Sequence, residues 1–264
     1  MKIPFTKCHA NGNDFILILS EDFPDMGAKE SLIQQLCNRN TGIGADGLFI
    51  IFSSEKYDFF LDYYNSDGSW ETLCANGSRC ASKFIYSLNN TRRKLKFETG
   101  AGIHTAEIKS NGKVLMSMKT PVYKSECLSP EGVSGFFVDS GARHFVCQLD
   151  NLDEKHVLTL GRKVRYSQPF KPQGINVNFY RIQSDNTIEI RTYEKGVEQL
   201  MPSCSSGSAA VVYHLSKSRG LISPITTSSA GGSLKFTFDE GWREAFCEGP
   251  AELLFSGEFE GNLI

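Results

Sequence analysis

The sequence predicts an α+β protein built from two related lobes, and three observations carry that prediction. Cys74 opens Cys-Ala-Asn-Gly-Ser and Cys204 opens Cys-Ser-Ser-Gly-Ser, 130 positions apart, and at the same offset Tyr63 matches Tyr193. Each cysteine follows a strand-like run and begins a helix-like one. The strand-like runs are many and short, with one main helix in each half, which favours segregated sheet and helix over alternating βαβ units. Repetition on this scale implies two copies of one unit, stacked or facing.

The elements follow in order. Met1-Lys2-Ile3-Pro4-Phe5 lacks the apolar core of a signal peptide and leads almost directly into a strand. Asn11-Gly12-Asn13-Asp14 is turn chemistry ahead of the strand Phe15–Leu19. Ser31–Asn38 reads as a short helix because Leu32, Ile33, Leu36 and Cys37 share one face. Leu48–Phe52 and Tyr57–Tyr64 are apolar runs of strand length. Asn65-Ser66-Asp67-Gly68 turns the chain into a helix from about Cys74 towards Asn89. Strands at Leu95–Glu98, Gly102–Ile108 and Val114–Met118 complete the first series, and Pro121 breaks it. The second series has strands near Gly135–Asp139, His144–Leu149, Asn176–Gln183 and Thr187–Tyr193. A helix from about Cys204 to Ser218 follows, stopped by Arg219-Gly220. Leu234–Phe238 and Glu252–Phe259 are late strands. The lobes are placed at 1–120 and 121–251, with the C-terminal strand, 252–264, completing the first.

Bulk composition excludes several functions. The chain has 264 residues, 40% apolar and 22% charged, with a net charge of −2, so no electrostatic footprint for nucleic acid or an acidic membrane is expected. The run Arg92-Arg93-Lys94-Leu95-Lys96 reads as a solvated helix end or strand start. No segment is long enough to span a membrane, and a cytoplasmic location is expected. The eight cysteines are widely spaced in a chain too large to need stapling, so free thiols are expected. No Cys-x-x-Cys or paired Cys/His spacing suggests zinc.

The chemistry gathers around the two cysteines. Small polar residues after each leave the first N–H groups of its helix open, which suits a carboxylate and favours a thiolate. Either cysteine alone reads as buried and structural; the matched pair reads as catalytic. Two facing thiols can remove a proton from one face of a carbon and return one to the other, the chemistry of a cofactor-independent amino-acid epimerase or racemase. Cys80 has no counterpart in the second helix and reads as core. Gly42-Ile43-Gly44-Ala45-Asp46-Gly47 spells Gly-x-Gly-x-x-Gly, but a helix precedes it and a strand follows, the reverse of a dinucleotide fingerprint. It reads as a helix-to-strand turn near the site. His144, at a strand start, is a residue that could take a thiol proton. Glu194, ten residues before Cys204, could assist the second thiol.

Taken together these pieces resemble the diaminopimelate epimerase family. The resemblance rests on Gly-Asn-Asp-Phe at 12–15, Gly-Ile-Gly-Ala-Asp-Gly at 42–47 and Asn-Ser-Asp-Gly-Ser at 65–69. Cys-Ala-Asn-Gly-Ser-Arg-Cys at 74–80, Gly-Ala-Arg-His at 141–144 and Asn-Val-Asn-Phe at 176–179 continue it. Tyr-Glu-Lys-Gly at 193–196, Cys-Ser-Ser-Gly at 204–207 and Gly-Gly-Ser-Leu at 231–234 complete it. It implies two pseudo-symmetric lobes, each a curled, mainly antiparallel sheet around a central helix, with the active site in the cleft. It implies no pyridoxal phosphate and no metal. One cysteine would act as thiolate base and the other as thiol acid, with His144 and Glu194 setting their protonation. Asn13, Asn65, Asn76 and Asn176 would contact a small amino-acid substrate. The backbone after each cysteine, at Ala75, Asn76 and Gly77 and at Ser205 and Ser206, would hold its α-carboxylate. The pattern departs at Ala75 and Ser205, where the family has Gly, and at Ala142 and Arg143, where it has Asn and Pro. The loop before Cys204 is one residue longer. Lys195 stands where an Arg would grip the distal end of the substrate, and Lys cannot reproduce a bidentate grip; Arg143 is the residue placed to compensate. A broader amino-acid racemase, a thiol hydrolase using His144 and a Cys74–Cys204 redox sensor are the alternatives. A homodimer is compatible with all of them.

Overall fold

The computed structural model describes residues 2–24, 29–89 and 92–261. Met1 and the last three positions of the expected strand 252–264 lie outside them. The chain divides into two compact units, Met1–Met116 with Gly249–Ile264, and Ser117–Glu248.

In the first unit, strands β1 (Lys2–Ala10) and β2 (Asn13–Leu19) form a hairpin across Asn11-Gly12. Both turn residues have positive φ, 54° and 82°, as a two-residue hairpin turn requires. Helix α1 (Lys29–Cys37) crosses to β3 (Gly47–Phe52), which pairs parallel to β2; β4 (Phe59–Asn65) returns antiparallel, edged by β5 (Trp70–Glu71). Helix α2 (Ala75–Asn89) then crosses to β6 (Lys94–Thr99), parallel to β4, and β7 (Gly102–Ile108) and β8 (Val114–Ser117) follow antiparallel. Leu32, Ile33 and Leu36 of α1 bury one face of the sheet with Ile16, Ile18, Leu48 and Ile50. α2 lies on the other face and touches β1, β2, β3 and β7, so the sheet curls around it.

The second unit repeats this plan. β9 (Val122–Tyr123), β10 (Gly135–Asp139) and β11 (Arg143–Gln148) are antiparallel; α3 (Glu154–Arg165) crosses to β12 (Asn176–Ser184), parallel to β11. β13 (Thr187–Tyr193) is edged by β14 (Leu200–Met201), and α4 (Ser205–Arg219) crosses to β15 (Ile225–Ser229), parallel to β13. β16 (Gly232–Phe238) and β17 (Ala245–Gly249) follow. Ala209, Ala210, Val211, Val212 and Leu215 surround α4 with apolar contact to Val146, Ile188, Ile190 and Phe236, which makes it a central helix. The last strand, β18 (Glu252–Glu260), pairs with β1 of the first unit. Each unit is thus mainly antiparallel, but two parallel crossovers are embedded in it.

Two expectations change. Helix α3, with Gly161 in its interior, falls between the expected strands His144–Leu149 and Asn176–Gln183, where no helix is read from the sequence. The structure explains that glycine: a Cβ there would lie 2.6 Å from Tyr193 Cβ, so its absence seats α3 on the sheet. The repeat is also shifted by one residue. Leu48 pairs with Tyr64 and Val177 with Tyr193, so Tyr193 corresponds to Tyr64, and Tyr63 corresponds to Thr192. The longer loop before Cys204 absorbs the difference.

Candidate active site

Both cysteines stand immediately before a crossover helix. The Cys74 carbonyl accepts from Ser78 N–H at 2.9 Å, and the Cys204 carbonyl from Ser208 N–H at 2.9 Å, so each chain enters its helix in the same way. Cys204 is the N-cap of α4; its Sγ accepts from Gly207 N–H at 3.4 Å. Such a donor at a helix start favours thiolate over thiol. Both residues are half-buried, while Cys80 is fully buried in the core, as are Cys8 and Cys147, and none of the eight cysteines is in a disulfide.

In the first unit an amide chain lies beside Cys74. Arg79, fully buried, donates from Nη2 to Asn76 Oδ1 at 2.8 Å and to Asn11 Oδ1 at 3.2 Å. Asn76 Nδ2 donates to Asn13 Oδ1 at 3.1 Å, and Asn13 Nδ2 to Asp46 Oδ2 at 2.7 Å. A guanidinium can only donate, so Arg79 fixes the orientation of every amide downstream. Asp46 belongs to the Gly42–Gly47 turn, which lies between α1 and β3. Arg39 bridges Asp46 and Asp14 at 2.7 Å each, and Lys7 bonds Asp14 at 2.6 Å and the Gly44 carbonyl. Burial pushes the Asp14 carboxyl up, but bonds from Arg39 and Lys7 outweigh it and hold the group well below the usual carboxylate range. Asn65 ends β4, accepting from Tyr63 O–H at 2.7 Å and donating to Ser69 Oγ at 3.0 Å.

In the second unit His144 is fully buried and hydrogen-bonded through both ring nitrogens. Nε2 faces Ser206 Oγ at 2.9 Å, and Ser206 Oγ lies 3.5 Å from Cys204 Sγ. Asn178 Nδ2 donates to His144 Nδ1 at 3.0 Å, and Thr192 O–H to Asn178 Oδ1 at 3.0 Å. Burial pushes the imidazole down to about 3, so it is neutral at physiological pH and reaches the thiol through Ser206. Ser140 O–H bonds the Ser206 carbonyl at 2.7 Å, fixing the first turn.

Asn176 ties two cationic segments together: its Nδ2 donates to the Arg143 carbonyl at 3.0 Å and its Oδ1 accepts from Lys195 N–H at 2.8 Å. Arg143 Nε donates to the Gly174 carbonyl at 3.1 Å, and its guanidinium lies over Phe137 at 4.8 Å. Lys195 is exposed, and Glu194 follows β13 in the register position that Asn65 holds in β4.

Arg79, Asn178 and Thr192 were not anticipated. Arg79 and Asn76 are three apart on one helix, and Asn178 shares the strand face of Asn176, so periodicity marks their faces but not their distant partners. Among the described residues no cluster of three His, Cys, Asp or Glu could hold a metal ion.

The fold matches that of a probable proline racemase from Agrobacterium radiobacter K84, at a TM-score of 0.76 and 13% identity over 98% of this chain and 93% of that one. The likeness shows a shared fold, and the sequence shows the family. The family profile described as diaminopimelate epimerase matches residues 5–124 and 136–254. The diaminopimelate epimerase of Aquifex aeolicus is 35% identical, with 98% of this chain and 99% of that protein covered. That of Archaeoglobus fulgidus is 37% identical, with 97% and 96% covered. The chain belongs to the diaminopimelate epimerase family.

Proposed function

We propose that this protein interconverts LL- and meso-diaminopimelate by proton exchange between two thiols, a step of lysine and peptidoglycan precursor biosynthesis. The observation that carries the reading is the pair of cysteines set at the same entry of the same crossover helix in two copies of one unit. A thiolate Sγ takes the α-proton and becomes a thiol. The other thiol gives its proton to the opposite face of the carbanion and becomes the thiolate. Protons balance, and the reverse reaction exchanges the roles. The mechanism requires the two sulfurs to reach opposite faces of one carbon. Backbone N–H groups at Ala75, Asn76, Ser205 and Ser206 would hold the α-carboxylate and stabilise charge developing beside it. Asn13, Asn65, Gly77 and Asn176 shape the same sites, while His144 and Glu194 tune the thiols. No pyridoxal phosphate or metal enters the scheme.

Distal recognition is the point at which a broader amino-acid racemase competes. Arg143 is partly engaged by Gly174 and Phe137, and Lys195 offers one flexible charge, so the grip on a second carboxylate is weaker than an Arg fork. No helix among the described residues is long and apolar enough to cross a membrane; the reading places the enzyme in the cytoplasm, with a homodimer as the assembly to test.

Cys74→Ala and Cys204→Ala should each lower turnover at least about a hundredfold with an unchanged circular-dichroism spectrum. Wild-type turnover in either variant would eliminate the two-thiol mechanism.

A further inference from the structure

The two thiols do not have equivalent surroundings. The strand register aligns Phe15 with His144, Phe49 with Asn178 and Tyr63 with Thr192: Phe15 pairs with Gly47 and His144 with Asn176, Leu17 with Phe49 and Val146 with Asn178, and Phe49 with Tyr63 and Asn178 with Thr192. Behind the helix of Cys74 these positions form an aromatic cluster. Phe49 lies 4.6 Å from Tyr63 and 5.3 Å from Phe15 between ring centroids. Behind the helix of Cys204 the same positions form a hydrogen-bonded chain. The helix glycines match this difference: a Cβ at Gly77 would fall on the Phe49 ring, and one at Gly207 on the Asn178 amide.

Resting on the two-thiol reading, we propose that Thr192, Asn178, His144 and Ser206 form a one-way hydrogen-bond chain ending on Cys204, which favours the Cys204 thiolate in the resting enzyme.

The direction follows from groups with a single role. The Phe145 carbonyl oxygen can only accept, and Asn178 Nδ2 lies 3.3 Å from it, which fixes the amide with its nitrogen on the histidine side. The other Nδ2 hydrogen points at His144 Nδ1, which must therefore carry a lone pair. A neutral imidazole then holds its hydrogen on Nε2 and donates it to Ser206 Oγ. With that lone pair occupied, the Ser206 hydrogen turns to Cys204 Sγ. The sulfur thus receives the Ser206 hydroxyl and the Gly207 N–H, and hydrogen bonds to the charged form favour it. Phe15 and Phe49, at the corresponding places in the first unit, carry no hydrogen-bonding group. Ser206, Asn178 and Thr192 are positioning residues: they set the resting proton of Cys204.

The test is iodoacetamide alkylation of purified, reduced, full-length protein between pH 5 and 10, with the Cys74 and Cys204 peptides quantified separately by mass spectrometry. In the wild type the Cys204 half-point should fall below the ordinary thiol value near ~8.5. Ser206→Ala should raise the Cys204 half-point by about a unit, a tenfold slower alkylation at neutral pH, and leave Cys74 unmoved. Ser206→Thr, which keeps the hydroxyl, should restore it. A Cys204 half-point unchanged in Ser206→Ala, or a wild-type Cys204 half-point at or above the ordinary thiol value, would overturn the chain. Exchange of substrate α-hydrogen by the wild type separates the two readings: exchange with an unmoved Cys204 removes the chain and keeps the two-thiol mechanism, whereas a shifted Cys204 without exchange keeps the chain and removes the mechanism.

Discussion

Gly207 shows what a single missing side chain contributes. Its bare Cα leaves the space that the Asn178 amide occupies, and the amide in turn sets the histidine. Gly207→Ala must displace Asn178 or shift the helix. The expected cost is about 1–3 kcal/mol, as for other overpacked sites, measured by urea denaturation, together with a higher half-point for Cys204 alkylation. Wild-type values for both would show that the space is not needed. The residues beside the cysteines were legible because they lie in short motifs: Asn13, Asn76, His144, Ser206 and Asn176 all stand within a few positions of a recognisable turn, strand start or helix start. Asn178, Thr192 and Arg79 were not, because their meaning comes from partners brought in by folding. Asn178 bonds a histidine 34 positions away and Arg79 an amide 68 positions away, and no local pattern marks such a pairing.

Elements with strong periodicity or strong caps were readable, and those decided by packing were not. The helices after Cys74 and Cys204 announce themselves through small polar starts and apolar interiors, and Gly220 ends α4 with φ of 66°. The two-residue strands β5, β9 and β14 are pairings that neighbouring strands impose, too short to carry a pattern. Helix α3 was missed although its ends are ordinary: Asp153 accepts from His156 N–H at 3.0 Å, and Arg162, Lys163 and Arg165 sit in its last turn, where they complement the helix dipole. Asp153→Ala should therefore cost about 1 kcal/mol of stability, seen as a lower thermal midpoint, with Asp153→Asn close to the wild type. An alanine variant as stable as the wild type would show that this cap does not hold the helix. The Tyr63–Tyr193 match failed by one residue for a related reason. The cysteines repeat at one offset and the strands at another, and only ladder pairing shows where the extra loop residue was inserted.

For the whole molecule, the buried histidines set an acid limit. Burial pushes His144 down to about 3; burial, aided by Arg219, pushes His214 down to about 4. The unfolded chain binds these protons from the ordinary histidine range, near ~6.5. Between that pH and the folded values the unfolded state holds more protons, so stability falls as pH falls, by up to about 1.4 kcal/mol per pH unit for each histidine. Asp14, held low by Arg39 and Lys7 despite its burial, adds a loss of the same sign at lower pH. Urea midpoints should decline from pH 7 to 5 and decline less steeply in His144→Gln; a flat profile in the wild type would contradict the buried, neutral assignment. The central claim concerns chemistry rather than stability, and proton NMR of the reduced protein with LL-diaminopimelate in D₂O, with no cofactor added, tests it most directly. The account predicts loss of the α-proton signal with appearance of the meso isomer. An α-proton signal that persists while the protein remains folded and its thiols reduced would contradict it.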